Sequence, residues 1–551
     1  MKTKHLVSFV IFTLMSVVQV QAKTTLIHNI KGYTPTNNQG LKTFRVLAFR
    51  EGKVVKIGND ETLKQFPEAI RIDGKGKTLL PGLIDAHGHV IGLGNNLLRL
   101  DLRGSRSIEE VGNKLKAYAQ KNPVGWLVGR GWDQTLWPDS KFPNAKHLDK
   151  FISDRPVVLT RVDGHAIWVN TKAMQLAKIN TQTTSPSGGE ILRLYNGVPT
   201  GVFIDKAESL INKHIPATNR AQKERALKRA GEHLLSLGIT STHDAGIDHD
   251  TWQLYQKYAE RQILPLRIYA MLGADDDKLT TMLEHGIIKD TQDFLSIRSV
   301  KIYADGALGS RGAALLEDYH DRKGHQGLML ETQPHLESLL VLSFKHGFSA
   351  HTHAIGDKAN RIVLDAYENI FKTVGGKLLR NRIEHAQIIH PEDIPRFKSL
   401  AIIPSMQPVH ATSDMTMAQQ RLNDTQLQGA YAWQAFLKQG SKLAFGSDYP
   451  VELANPFHGL YAATTRMSRD EKPEGGWRSV EKLDRTQALR AFTLDAAYSE
   501  FREHKTGSLE QGKWADFILI DRDYFTVPHT ELDDIKVEQT WIAGDLKYQK
   551  P

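Results

Sequence analysis

Six side chains able to bind a metal ion stand at or near the ends of short apolar runs, and this order constrains the fold more than any other feature. They are His87 and His89 in PGLIDAHGHV, Lys301 in SVKIYADG, His353 in SAHTHAIGD, His385 in RIEHAQ and Asp448 in AFGSDYPV. In barrels and open parallel sheets, functional side chains lie at the carboxyl ends of the strands. The pattern therefore predicts several strands that bring their last side chains to one mouth.

The spacing of these residues predicts repeated strand–helix units with one large insertion. From Lys301 to Asp448, successive ligands are 52, 32 and 63 residues apart. One strand–helix unit takes about 30 residues or more, so these ligands fit successive or next-but-one strands. The 212 residues between His89 and Lys301 are too many for a barrel of about 250 residues. We therefore predict an insertion over residues 103–216.

The two ends of the chain differ in character from its middle. Both ends alternate apolar and polar residues and break at Gly, Asn and Asp, as in TGSLEQGKWADFILIDRD, which is typical of short strands and turns. In between, apolar runs alternate with amphipathic stretches such as residues 220–237, which indicates a parallel sheet or barrel. The predicted bounds are 81–102 and 217–495 for the barrel, with 23–80 and 496–551 for the β-rich ends.

The predicted insertion is rich in aromatic and turn residues. Four of the nine tryptophans, Trp126, Trp132, Trp137 and Trp168, lie within it. We favour a lid over the site, because long insertions in barrels usually extend the loops that carry function. The alternative is a peripheral subdomain whose tryptophans fill its own small core.

The composition is that of a globular protein without a nucleic-acid-binding surface. Of the 551 residues, 40% are hydrophobic and 24% are charged. The formal charge of +9 is spread along the chain without a basic block, so no nucleic acid partner is expected. There are no cysteines, which excludes disulfides and leaves nitrogen and oxygen as the metal ligands.

The first 22 residues are typical of an export signal. Lys2 and Lys4 supply positive charge, residues 6–18 are mostly apolar, and Ala22 is the small residue that a signal peptidase prefers. The apolar stretch is shorter than the ~20 residues that span a bilayer as a helix, with an uncleaved anchor as the alternative. We expect an exported, periplasmic protein without a membrane contact after cleavage.

The sequence supports the first three ligands, His87, His89 and Lys301, to different degrees. His87 and His89 are two residues apart, so on a strand both imidazoles point to one face and reach one ion. Lys301 lies in an apolar run, where a charged amine is costly to bury. It either faces solvent on an edge strand, pairs with a carboxylate such as Asp305, or carries a carbamate that bridges two cations. With the other ligands counted, we favour the carbamate.

The other three ligands, His353, His385 and Asp448, each have a structural alternative as a buried histidine or a turn cap. His351 shares a face with His353 but is expected deeper in the barrel. Neutral imidazoles and carboxylates suit Zn²⁺, and also Mn²⁺, Fe²⁺ or Co²⁺. Such ions lower the pKa of bound water to roughly 7. The pattern predicts hydrolysis by metal-bound hydroxide, with Asp448 accepting the proton and returning it to the leaving group.

Taken together, these motifs resemble those of the metal-dependent amidohydrolase superfamily. PGLIDAHGH, GRGWDQTLWP, DGHAIWVN, KIYADGALGSRGA, HAIGD, RIEHAQ, GSDYPVE and GSLEQGKWADFILID follow one another in this order and span nearly the whole chain after the predicted signal. The branch they most resemble is amidohydrolase family 3, in the group of N-substituted formamide deformylases. The resemblance implies a distorted (β/α)₈ TIM barrel, a small β-sandwich built from both chain ends and a large insertion after the first barrel strand.

The resemblance also implies a site and a reaction. Two ions, most simply zinc, would be held by the six ligands, with a CO₂-derived carbamate on Lys301. Substrate contacts would come from Trp132, Asp133, His165 and Arg311, although each could instead support its own loop.

The implied reaction is hydrolysis of a non-peptide C–N bond, an amide or N-formyl group, in a small molecule. A homodimer would be in keeping with the resemblance. The alternatives are an esterase, lactonase or phosphotriesterase, or a non-catalytic binding protein.

Overall fold

The centre of the molecule is a nearly closed barrel of eight parallel strands. The computed structural model describes residues 23–38, 40–161, 166–186, 189–216, 219–309 and 311–551. The barrel strands, which pair in sequence order, are β1 (Leu83–Gly88), β2 (Ile239–Ile247), β3 (Arg267–Gly273), β4 (Leu295–Tyr303), β5 (Ser349–Ala354), β6 (Arg382–His385), β7 (Ile403–Met406) and β8 (Ala444–Phe445). A parallel bridge between Gly88 and Tyr449 brings the two ends of the sheet together. The prediction of a distorted (β/α)₈ barrel is confirmed.

Helices cover the outside of the barrel. They are Val90–Leu98, Arg220–Ser236, His249–Glu260, Leu279–Glu284, Gln333–Lys345, Asp357–Thr373, Ile394–Ser399, Pro408–Arg421, Asp424–Gln428, Trp433–Lys438, Pro456–Thr465, Arg485–Ala491 and Leu494–Ser499. Helix Arg220–Ser236 begins at a capping box on Asn219, and its buried residues recur at helical spacing. Strand β3 is buried along its whole length, as expected for a parallel strand between two layers.

The chain between β1 and helix Arg220–Ser236 forms a separate six-stranded sheet. Its strands are Leu100–Asp101, Leu127–Trp132, Val157–Arg161, Ala166–Val169, Gly189–Arg193 and Pro199–Asp205, with helices Ile108–Lys121, Ala145–Asp149, Thr171–Leu176 and Ser209–Asn212. The rings of Trp132, Trp137 and Trp168 pack within 5.9–6.1 Å of one another. This insertion therefore has an aromatic core of its own.

The two chain ends combine into sheets beside the barrel. One sheet has six strands, Lys31–Pro35, Leu41–Phe44, Thr78–Pro81, Phe517–Ile520, Val537–Ile542 and Asp545–Gln549, and another has four, Thr25–His28, Val46–Arg50, Lys53–Gly58 and Ile70–Asp73. A two-residue strand, Ile288–Lys289, pairs with β4. Between the sheets, Phe49 packs against Phe517 and Trp541.

A buried ion pair joins these sheets to the floor of the barrel. Arg267, the first residue of β3, donates to both carboxylate oxygens of Asp516 over 2.7 and 3.0 Å. The same guanidinium donates to the carbonyls of Gln292 and Asp293 over 2.8 and 3.1 Å. The backbone N–H of Ala543 also donates to Asp516. Both charges are therefore buried with their hydrogen-bonding groups largely paired.

The predicted export signal, residues 1–22, lies outside the described residues. Across the part of the chain that the structure describes, no helix combines the length and apolar character needed to span a membrane.

Candidate metal centre

All six sequence-predicted ligands lie at the carboxyl end of the barrel. They end or follow five of its strands: His87 and His89 at β1, Lys301 in β4, His353 in β5, His385 at the end of β6, and Asp448 just after β8. Parallel strands point their carboxyl ends at one rim, so ligands far apart in sequence meet there.

The ligand atoms on the β1 side are close to one another. Nε2 of His89 lies 3.2 Å from Oδ1 of Asp448, and Nε2 of His87 lies 3.7 Å from the same oxygen. Nζ of Lys301 is 3.4 Å from Nε2 of His87. Ligand atoms of His87, His385 and Asp448 all fall within 4.8 Å of one another.

The other two histidines extend this cluster. The ring centroids of His353 and His385 are 4.5 Å apart, and those of His385 and His87 are 4.9 Å apart. The five imidazole and carboxylate side chains therefore form one contiguous group, with the Lys301 amine beside it.

Backbone strain accompanies two of the ligands. Asp448 has φ of 59° and His385 has φ of 74°, a region that costs a non-glycine residue about 1–3 kcal/mol. Asp85 on β1 holds the loop before Asp448, accepting hydrogen bonds from the backbone N–H and the hydroxyl of Ser447 over 3.1 and 2.7 Å. The surrounding structure thus enforces a conformation that aims both ligands into the mouth.

Burial keeps the imidazoles of His87, His353 and His385 neutral, which is the form that binds metal. Burial also lowers the pKa of His89, but the neighbouring Asp448 outweighs it and raises that pKa above its usual value. Burial, together with the nearby Lys301 charge, lowers the pKa of His87 to about 4 and that of His353 to about 3. Burial and the neighbouring His353 hold the pKa of His385 well below its usual value. Burial raises the pKa of Asp448, but the neighbouring His89 and the other adjacent histidines outweigh it and keep the carboxyl ionised.

Lys301 is in an unusual position for an amine. Its side chain is 1% exposed, and burial lowers its pKa to about 8 against the opposing charges of Glu384 and Asp448. Asp305, the carboxylate suggested as its partner, instead accepts hydrogen bonds from three backbone N–H groups, one of them that of Ala314. Neither solvent nor Asp305 therefore accounts for the Lys301 amine.

The residues fit a divalent cation. Oδ1 of Asp448 and Nε2 of His353 are buried and have no hydrogen-bond partner. A buried polar atom without a partner costs about 1–3 kcal/mol, and a bound cation would supply the partner that these atoms lack. Nitrogen and oxygen donors of this kind suit Zn²⁺ and its neighbours in the first transition series.

Surrounding groups fix which ring nitrogen faces the centre in three of the four ligand histidines. Nδ1 of His87 lies 2.5 Å from Glu384, Nδ1 of His89 lies 2.9 Å from the carbonyl of Ala245, and Nδ1 of His385 lies 2.8 Å from Gln407. An acceptor at Nδ1 keeps the proton there and leaves Nε2 for a metal. Arg382 in turn pairs with Glu384 over 2.6 Å.

Sequence reasoning missed most of these supporting residues. Glu384, although adjacent to His385 in the chain, contacts His87 across the barrel. The available signal was the pair Arg382 and Glu384, which are two residues apart and therefore share one face of β6.

A cleft of about 360 Å³ opens over the centre. Besides five histidines, Lys301 and Asp448, it is lined by Tyr303, Ala307, Leu308, Gly309, Ile355, Gln387, Asp414, Val451 and Glu452. One of those histidines, His410, was also missed; its Nε2 is 3.9 Å from Oδ2 of Asp448. Among the described residues, none of the lining comes from 103–216, so the lid stays a prediction.

Unlike the metal ligands, the described members of the four predicted substrate contacts do not line the cleft. Trp132 is buried in the core of the insertion, and its indole N–H donates to the carbonyl of Leu159 over 2.7 Å. Asp133 pairs with Arg161 over 3.0 Å, and Arg311 pairs with Asp321 over 2.7 Å. His165 lies outside the described residues. Their roles in substrate binding stay predictions.

Comparison with known proteins gives the same overall picture. The family model described as "Amidohydrolase family" matches residues 71–548. Protein LONG AFTER FAR-RED 3 of Arabidopsis thaliana is 31% identical, over 93% of this chain and 90% of its own. An N-substituted formamide deformylase of Arthrobacter pascens is 26% identical, over 91% and 94%. The crystal structure of an uncharacterized metal-dependent hydrolase from Pyrococcus horikoshii matches with a TM-score of 0.76 and 27% identity, over 92% and 99%.

Proposed function

Because the chain belongs to the amidohydrolase family and is a metal-dependent hydrolase acting on C–N bonds, we propose that it cleaves an amide or N-formyl group of a small molecule. The similarity to an N-substituted formamide deformylase over most of both chains supports this choice of bond. The observation that carries the proposal is the convergence of six ligands at one mouth, three of them with ligand atoms within 4.8 Å of one another. Asp448 and His353 each have an unpartnered atom there.

His87, His89, His353, His385 and Asp448, with Lys301, would hold one or two divalent cations, zinc or alternatively Mn²⁺, Fe²⁺ or Co²⁺. Bound there, the cations would supply a water that ionises near neutral pH and an electrophile for the scissile carbonyl. A pKa of about 8 leaves part of Lys301 as the free amine at neutral pH. That amine adds to CO₂ and loses one proton, giving a carbamate with two oxygen ligands.

Asp448 would act as the proton carrier of the reaction. Its carboxylate accepts a proton from the attacking water as the new C–O bond forms. It then delivers this proton to the nitrogen as the C–N bond breaks, so the amine leaves neutral. The buried position and ionised state of Asp448 beside His89 support this role.

A hydrolysis screen of the purified protein tests this function. The protein, loaded with Zn²⁺ or Mn²⁺ in bicarbonate buffer, is assayed against N-formyl amines, other amides, esters and phosphotriesters. We expect turnover of the C–N substrates, loss of turnover on chelation, and a large loss in Lys301→Ala. Turnover confined to esters or phosphotriesters would replace the proposed substrate class. Full activity in Lys301→Ala would rule out the carbamate.

Export to the periplasm is part of the proposal and rests on residues 1–22 alone. Cell fractionation of a tagged full-length protein tests it, with cleavage after Ala22 read by mass spectrometry. Recovery of the uncleaved chain in the cytosol would contradict export.

A further inference from the structure

One wall of the cleft carries a carboxylate that the metal centre does not use. Asp414 lies on helix Pro408–Arg421, four residues after His410, so the two side chains share one face of the helix. Both line the cleft. Asp414 is therefore available to whatever molecule occupies the space above the metal ligands.

Buried neighbours hold this carboxylate in place. The hydroxyl of Tyr431 donates to Oδ2 of Asp414 over 2.7 Å, and Nε2 of Gln387 donates to the same oxygen over 3.2 Å. Tyr431 and Gln387 are both buried, and Gln387 follows His385 by two residues. The position of Asp414 is thus fixed relative to the reaction centre.

The Asp414 carboxylate has no close ion-pair partner in the described parts of the chain. None of the described basic side chains forms an ion pair with it within 4.0 Å. Arg421, on the same helix, interacts with Asp414 only beyond ion-pair distance. Its guanidinium donates to the carbonyl of Leu308 over 2.7 Å and lies 3.9 Å from Asp321. Of the described lysines and arginines, only Lys301 lines the cleft, and the proposed carbamate would make it negative.

We propose that Asp414 makes the enzyme selective for substrates that carry a second, cationic nitrogen, such as monoformylated or monoacylated diamines. This inference rests on the proposed C–N hydrolysis. An ammonium would donate charge-assisted hydrogen bonds to Asp414, while Leu308, Ile355 and Val451 offer apolar contacts to the methylene chain. Glu452, also in the lining, adds negative charge, so a carboxylate at the same position would be repelled.

Three formamides matched in length test the selectivity. They end in an ammonium, a methyl or a carboxylate group, and each is made with spacers of two to six methylenes. We expect kcat/KM to be roughly ten- to a hundredfold higher for the best ammonium substrate than for its methyl counterpart, the range of a charge-assisted hydrogen bond. In Asp414→Asn, which keeps the size of the side chain, this ratio should fall to near one.

The control variant is Asp424→Asn, which removes the same charge from an exposed residue of the neighbouring helix. It should keep the wild-type ratio, because Asp424 does not line the cleft.

The inference would be overturned by an unchanged ratio in Asp414→Asn. It would also be overturned if the wild type hydrolyses the methyl formamide but shows no preference for the ammonium substrate. Either result would leave the proposed function standing. If no formamide is hydrolysed, that part of the proposed function fails, and calorimetric binding of the same compounds to both variants then decides the inference.

Discussion

The mouth and the floor of the barrel both bury charged groups, but they do so in opposite ways. At the floor, Arg267 and Asp516 are paired through two hydrogen bonds, and backbone groups satisfy much of what remains. At the mouth, Asp448 and His353 each keep a buried atom without a partner. The floor is thus complete as it stands, whereas the mouth requires a ligand.

This difference indicates that buried charges at the floor stabilise the fold, whereas those at the mouth serve function. Loss of one partner from a fully hydrogen-bonded buried ion pair strongly destabilises the protein. A buried polar atom without a partner already costs free energy, so removing it costs the fold little. Substitutions at the two ends of the barrel should therefore separate activity from stability.

The largest effect on activity is expected at the mouth, in Asp448→Asn. Asparagine cannot accept the proton of the attacking water, so kcat should fall about 10²- to 10⁴-fold. The melting temperature of the metal-free protein should change little, since Oδ1 of Asp448 makes no hydrogen bond. Steady-state kinetics and thermal unfolding measure the two quantities. A melting temperature that falls with activity would show that Asp448 is a structural residue.

The largest effect on stability is expected at the floor, in Arg267→Met. This change leaves Asp516 buried without its counter-charge, which costs about 3–5 kcal/mol. We expect a lower melting temperature, with the metal content of the folded protein unchanged. The control is Arg267→Met combined with Asp516→Leu, which should recover much of the loss because no charge remains buried. A single variant as stable as the wild type would remove the contrast between the two ends.

A smaller effect, on metal affinity, is expected in Glu384→Gln. Glu384 lies between the mouth and the floor of the barrel. Without the carboxylate, the Nδ1 proton of His87 is held less firmly, and metal affinity should fall about 10- to 100-fold. Competition with a chelator measures the affinity independently of turnover.

Glu500→Gln is the matched control for that variant. Glu500 is equally buried and lies 3.7 Å from His243, but it contacts none of the six ligands. Its substitution should leave metal affinity as it is. Equal losses in both variants would mean that Glu384 acts through the general stability of the barrel.

The two His-x-His pairs show how far sequence reasoning reaches. Both pairs are visible in the sequence, and the order of the later ligands singles out His87 and His89. The structure places His351 in the barrel interior, with Nδ1 3.3 Å from the sulfur of Met271, while His353 faces the mouth. The two share one face of the strand and differ in depth, so the expectation that His351 lies deeper in the barrel is confirmed.

Supporting residues were harder to find than ligands. Glu384 and Asp414 reach partners far away in the chain, His87 and Tyr431, and no local spacing predicts such contacts. Ligands belong to short motifs at strand ends, which recur in a fixed order. The residues that position these ligands are determined by how eight strands and their loops pack around one axis.

The sequence alone determined the alternation of strands and helices, the large insertion and the order in which metal-binding side chains arrive, because each of these is written in local spacing and residue type. Only the tertiary structure decided that Lys301 is buried beside His87 and that Glu384 and Gln407 set the histidine tautomers. It also decided that Asp414 lines the cleft without a close ion-pair partner among the described residues. These facts depend on distances between residues that are remote in the chain, and packing alone fixes such distances.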